Sequence, residues 1–291
     1  MESTAGDISL VDVSANLWAN RLLILITTAC FGAAALVTAF LLPEKFSASV
    51  VLAPVGDDSV GGKLGGAGAL LSQFGGLASL GGLSLGSGGR KSESIATLGS
   101  AALAEGFIAE KKLLPVLFDD EWNPGTKTWK ESDPADQPTL WKAEQKFAKK
   151  VRSVSEDKKT GLVTLTMTWR DPQLAAEWAN ELVARANASL RARAIEQSQR
   201  NLEYLNGQLV KTSVVELQKS IYGLIENEIK QVMVANGNAE FAFKVIDPAR
   251  APEKRTSPKR GLITVIGLFV GFMLGIVIAL ARPSNLPETR T

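Results

Sequence analysis

The chain has 291 residues, a single cysteine and no histidine, and its 32 basic and 30 acidic side chains leave a formal charge of +2. Without histidine the Ser/His/Asp and Cys/His nucleophilic arrangements, histidine metal sites and the commonest neutral-pH acid or base are excluded, and the lone Cys30 allows no internal disulfide. The basic residues are interspersed with acids and form no concentrated aromatic-interleaved patch, which argues against nucleic acid as a partner.

Two windows, residues 22–42 and 261–281, run about twenty residues without a charge; at about 1.5 Å of rise per residue each reaches roughly the 30 Å of a hydrocarbon core, so both are predicted to span a membrane. Ahead of the first, residues 8–20 have the spacing of a short amphipathic helix, with Leu10, Val13, Leu17 and Trp18 toward apolar surroundings and Trp18 at the interface. Glu2, Asp7 and Asp12, set against Arg21 alone, are unlike the basic start of a cleaved signal peptide. Pro43 ends the first span, and Phe46, Ala48, Val50 and Leu52 then alternate with Ser47, Ser49 and Val51 as in a strand.

Residues 61–89 are glycine-rich yet apolar: Leu70, Leu71, Phe74, Leu77, Leu80, Leu83 and Leu85 call for cover by a neighbouring subunit or the membrane surface, the alternative being a mobile loop. Neither GGKLGG nor SGGRKSE meets the G-x-x-x-x-G-K-[ST] pattern of a phosphate-binding loop. A helix is predicted over 92–112, with Ser92 or Ser94 as cap and Ile95, Leu98, Ala102 and Ile108 near one face. Residues 119–138 are acidic, aromatic and proline-containing, as in a surface excursion. A helix over 140–150 and a hairpin of strands at 151–155 and 162–169, joined by EDKKTG, follow.

Asp171-Pro172 is a helix start, a capping acid followed by proline at the first helical position. The helical pattern then persists over about 172–235, with weak points at Gly207 and Thr212-Ser213 and a stripe of Leu217, Ile221, Leu224, Ile225, Ile229 and Val232. Such a length predicts a helical hairpin, a coiled coil or a projecting arm. A last strand at 241–246 precedes the second span. The expected fold class is an α+β domain with a long helical projection, flanked by two transmembrane helices. Two spans put the domain on one side of the membrane and both ends of the chain on the other. Arg250, Lys254, Arg255, Lys259 and Arg260 before the second span favour a cytoplasmic domain, but that bias weakens for loops longer than about sixty residues, which leaves the side open.

Trp122, Trp129 and Trp141 are candidates for stacking on sugar rings, and Arg185, Arg191, Arg193 and Arg200 for attracting an acidic glycan, although packing and solvated helix faces are the commoner uses of such residues. The Asp119-Asp120-Glu121 cluster lacks the glycine spacing of a calcium loop and reads as a solvated turn. No catalytic, cofactor-binding or metal-binding residue is assigned.

The segment entering the second span is more distinctive. Pro252 is followed after four residues by Ser257-Pro258-Lys259, after eleven more by Gly271 and after three more by Gly275. The prolines restrict how the chain enters the bilayer, Ser257 is placed to cap a helix starting at Pro258, and Gly267, Gly271 and Gly275 form a smooth stripe. That stripe faces either lipid or a second helix, for which Ala29, Gly32 and Ala33 offer a small face. The spacing resembles the membrane-proximal proline motif of the Wzz-type chain-length determinants, also called polysaccharide co-polymerases. One departure is Ala249, where the family often has a further proline; the nearest here is Pro248. LLPEKFSASVVLAP, LLSQFGGLASLGGLSLG, SVSEDKKTGLVTLTMTWRDPQLAAEWAN and VIDPARAPEKRTSPKR also resemble the glycine-rich subgroup of this family.

The resemblance implies a homo-oligomer in the bacterial inner membrane. It implies a cytoplasmic segment 1–21, transmembrane helices 22–42 and 261–281, a periplasmic α+β domain 43–260 and a cytoplasmic tail 282–291. It further implies a non-enzymatic regulator of the chain length of a surface polysaccharide such as O-antigen lipopolysaccharide, scaffolding the polymerase, with the growing glycan as a further candidate partner and no cofactor. The alternative is a capsule or exopolysaccharide export subunit working with a separate tyrosine kinase. Fused versions carry a nucleotide-binding domain and a tyrosine-rich tail after the second span, whereas residues 282–291 contain no tyrosine. A membrane-anchored hydrolase is disfavoured by the missing histidine.

Overall fold

The structure, a computed structural model, describes residues 17–55 and 87–281. The expectations for the amphipathic helix before residue 17, for residues 56–86 of the glycine-rich region and for the tail 282–291 lie outside the described residues. The elements in the first half are α1 (Arg21–Leu41), β1 (Phe46–Pro54), α2 (Ser87–Gly99), α3 (Ala101–Glu110), α4 (Leu114–Leu117), β2 (Trp122–Asn123) and β3 (Thr128–Trp129). There follow α5 (Leu140–Lys150), β4 (Arg152–Glu156), β5 (Val163–Trp169), α6 (Pro172–Lys211), α7 (Val215–Gly237), β6 (Phe243–Asp247) and α8 (Arg260–Ala281). Two units result: residues up to Phe46 together with those from Lys254 onward, and Ser47–Glu253.

The second unit is built on a four-stranded sheet of order β4-β5-β1-β6, in which β4–β5 and β1–β6 are antiparallel. Strand alternation divides its faces. Ala48, Val50, Leu52, Val163, Leu165, Met167 and Phe243 are buried in one core with Leu98, Phe107, Ile108, Phe147, Trp178 and Leu182 from the helices. The opposite face carries hydroxyls, and Ser47–Thr168 (2.8 Å) and Ser49–Thr166 (2.9 Å) pair across it. The β4–β5 turn closes because the Asp157 carboxylate accepts from the Lys159 N–H (2.8 Å) and the Thr160 hydroxyl (2.9 Å), while Gly161 takes φ +72°, where a side chain would be strained.

The helix expected over 92–112 is two helices. Gly99 ends α2; Ser100 is extended (φ −70°, ψ 151°) and caps α3 by accepting from the Leu103 N–H at 3.2 Å. Ser92 and Ser94 therefore lie inside α2, and the inward face of α3 is Leu103, Ala104, Phe107 and Ile108, with Ala102 outward. The break has a distant cause. The buried Arg152 guanidinium donates to the carbonyls of Leu98 (3.2 Å), Ser100 (3.0 Å) and Gly99, satisfying acceptors that the end of a helix leaves open. Burial lowers the Arg152 pKa, an effect partly opposed by Glu144.

Residues 119–138 do form a surface excursion, pinned by a two-strand ladder in which Trp122 meets Trp129 edge to face at 4.8 Å. Asp171 caps α6 through the Gln173 and Leu174 N–H groups. The helix runs through Gly207 unbroken and stops at Lys211, and α7 packs back along it. The apolar stripe of α7 is split: Ile221 is buried and Ile225 and Val232 half-buried, whereas Leu217, Leu224 and Ile229 remain 51%, 52% and 45% exposed.

Candidate functional site

In the first unit α1 and α8 are both long and apolar enough to cross a membrane. Leu22, Leu25, Leu262, Val265 and Phe269 are each more than half exposed, and lipid rather than water is the medium in which so much outward apolar surface is stable. Thr27 and Thr28 suit the same medium, since their hydroxyls donate to carbonyls of their own helix: Thr27 to Leu23 (3.1 Å) and Ile24 (3.0 Å), Thr28 to Ile24 (2.7 Å).

The two helices meet along a glycine seam. A Cβ on Gly271 would stand 2.7 Å from the Phe31 Cβ and 3.0 Å from both the Thr27 carbonyl oxygen and the Thr28 Cα. One on Gly275 would stand 2.5 Å from the Thr27 hydroxyl and 3.0 Å from the Ile24 Cα, and one on Gly267 2.3 Å from the Ala35 Cβ. These approaches require glycine, as in small-residue helix interfaces generally. The partner surface differs from the expected one. Ile24, Thr27, Thr28, Phe31 and Ala35 face the glycines, and Gly32 packs on Leu268, whereas Ala29 and Ala33 are exposed.

The polar end of the helix pair is tied in two ways. Lys45 N–H donates to the Ser257 carbonyl (2.9 Å), and the Thr256 N–H (2.8 Å) and Ser257 N–H (3.3 Å) donate to the Lys45 carbonyl, so the chain leaving α1 forms a β-bridge with the chain entering α8. Glu44 Oε1 then accepts from both Arg255 Nη1 (2.8 Å) and Arg260 Nη2 (2.9 Å), and the Arg260 guanidinium lies 4.1 Å over the Phe40 ring. Ser257 is not the helix cap expected of it. Its backbone is engaged by Lys45, and α8 starts later, at Arg260, with its first turn closed by the Ile263 N–H on the Lys259 carbonyl (3.2 Å). Pro258 is buried, behind a cis Ser257-Pro258 bond, and Lys259 is exposed. Pro252 lies in the other unit and is half-buried.

Within that unit two asparagines, inconspicuous in the sequence, hold the returning chain. Asn187 Oδ1 accepts from the Ala242 (2.9 Å) and Phe243 (2.8 Å) N–H groups and its Nδ2 donates to the Phe243 carbonyl (2.9 Å); seven residues earlier on α6, Asn180 pairs with the N–H and carbonyl of Ala249, both at 2.9 Å. Asparagine recurring after two helical turns was the available signal. Of the candidate sugar-stacking residues, Trp122 and Trp129 cover one another and Trp141 is 66% exposed. Among the arginines, Arg185 pairs with Glu110, Arg200 with Glu196, and Arg193 reaches Ser189. Asp119 pairs with Arg170, and no group of acids able to hold a metal is found among the described residues.

The chain is thus a membrane protein with an α+β body, a long helix pair and a candidate transmembrane helix toward each end. Residues 6–110 match the family described as "Chain length determinant protein" (Wzz), and residues 208–284, which include the second helix and its glycines, match "G-rich domain on putative tyrosine kinase". The chain belongs to the Wzz-type chain-length determinant, or polysaccharide co-polymerase, family, in its glycine-rich subgroup. Similar solved structures include a full-length bacterial polysaccharide co-polymerase (12% identity, 94% of this chain and 97% of that chain, TM-score 0.41). A fragment of WzzB, the polysaccharide co-polymerase from Salmonella Typhimurium, is also similar (12% identity, 74% of this chain and 100% of that chain, TM-score 0.34). No curated protein sequence matches.

Proposed function

We infer that the protein sets the length of a surface polysaccharide, O-antigen lipopolysaccharide or a related glycan, by acting as a homo-oligomeric scaffold for the polymerase, without chemistry of its own. The match of residues 6–110 to the chain-length determinant family carries this reading. The body lies in the periplasm, with the spans anchoring it in the inner membrane and both flanking segments in the cytoplasm. Pro252, Ser257, Pro258 and Lys259 set the entry into the second span, and Gly267, Gly271 and Gly275 hold it against the first. In a deletion strain whose lipopolysaccharide and capsule are resolved on gels, polymer persists but a modal band is lost; unchanged length distributions in every surface glycan would refute the reading.

A second reading is an export subunit for capsule or exopolysaccharide working with a separate tyrosine kinase, favoured by the family description matched at residues 208–284. It predicts instead that deletion abolishes polymer on the surface and changes phosphorylation of a cytoplasmic kinase.

A further inference from the structure

The polar end of the α1–α8 pair holds more cation than it neutralises. Among the described residues of this unit Glu44 is the only carboxylate, against Lys45, Lys254, Arg255, Lys259 and Arg260 at the same end. Both guanidinium groups bond to one and the same oxygen of Glu44, so most of their donors are left over. The Arg260 Nε has no hydrogen-bond partner although it is shielded, and the Phe40 ring fixes the plane of that guanidinium from one side. Lys254, Arg255 and Lys259 are exposed beside it. These groups follow directly on helices whose outward surfaces suit lipid, which is the depth at which phospholipid phosphates lie.

We propose that Arg255 and Arg260, presented by Glu44 and Phe40 and flanked by Lys45, Lys254 and Lys259, bind the phosphate of an anionic phospholipid headgroup. Glu44 acts as a positioning residue: it draws the two forks together and leaves their outer N–H groups open, and a phosphate accepts from such a fork bidentately where a choline phosphate's own cation opposes it. The collar then holds the helix pair at a fixed depth, a role that does not depend on which glycan is made. It also gives the basic flank a use other than setting topology.

The test uses the full chain reconstituted in phosphatidylcholine vesicles, with spin-labelled phosphatidylglycerol or phosphatidylcholine as probe. Wild type selects phosphatidylglycerol by roughly fivefold, the scale of one basic residue at a charged surface. Arg255→Gln and Arg260→Lys each reduce that selectivity toward unity, the latter because lysine keeps the charge and loses the fork, while Arg21→Gln, on the other end of α1, leaves it unchanged. An unaltered circular-dichroism spectrum separates this from misfolding. No selectivity in wild type, full selectivity in both collar variants, an equal loss in Arg21→Gln, or abolition of selectivity by millimolar inorganic phosphate would overturn the proposal, the last because it would mark a site for a soluble anion.

Discussion

Asn187 pairs with both backbone polar groups of Phe243, accepting from its N–H at 2.8 Å and donating to its carbonyl at 2.9 Å. β6 is an edge strand, and these groups lie on its free side, where an unpaired edge invites another chain. Asn187 is 3% exposed, so its removal strands donors away from water. Asn187→Leu is expected to cost about 2–4 kcal/mol, two or three buried hydrogen bonds at about 1 kcal/mol each plus the desolvation of the groups left behind. Thermal unfolding of the full chain in detergent measures this, and a midpoint within a degree or so of wild type would contradict it.

Arg152 makes a comparable long-range contact to the end of α2. Arg152→Met removes the donors to the Leu98, Gly99 and Ser100 carbonyls and is expected to destabilise by about 2–3 kcal/mol, with Arg152→Lys recovering only part, since one ammonium cannot span three carbonyls. Hydrogen exchange should show the amides near the α2–α3 junction as the first to lose protection; uniform loss across the body would argue against a local role.

Much of this body was legible in the sequence. The sheet has one buried face, so period-two alternation marked β1 and β5, and the Asp171-Pro172 start and the Thr212-Ser213 break were visible because caps and breakers act locally. What escaped depends on partners distant in the chain. Ser100 reads as part of a continuous helix until Arg152 is placed against the preceding turn. Asn180 and Asn187 look like solvated helix positions until a strand is laid beside them. Ser257 has the chemistry of a cap, but pairing with Lys45 takes its backbone first.

Gly271→Leu is expected to force α1 and α8 apart, because beside the Phe31 Cβ at 2.7 Å the next obstacles, the Thr27 carbonyl and the Thr28 Cα at 3.0 Å, are backbone and cannot turn aside. The cost should be about 1–3 kcal/mol. Gly261→Ala, where a Cβ meets nothing within 4 Å, serves as control. In cells the leucine variant, and likewise Gly275→Leu, should lose the modal glycan length while the control keeps it; wild-type profiles from both leucine variants would remove the seam from the mechanism.

The Asp157 carboxylate is held below its ordinary pKa of 3.8, first by the Lys159 N–H and then by the Thr160 hydroxyl. A folded-state pKa below the unfolded one contributes stability above the unfolded value and loses it as pH falls through the folded value. Asp157→Asn, which cannot titrate, should therefore lose less stability than wild type on acidification from about pH 5 to pH 2, read from thermal midpoints. Parallel curves would contradict the assignment.

The side of the inner membrane on which the body lies decides the proposed function. With Cys30→Ala removing the native thiol and Ser132→Cys placing one on the exposed excursion, a membrane-impermeant maleimide is applied to cells with a permeabilised outer membrane and an intact inner one. Labelling of Ser132→Cys without lysis is the predicted result. Labelling only after the inner membrane is broken would put the body in the cytoplasm, away from any glycan being extended on the outer face.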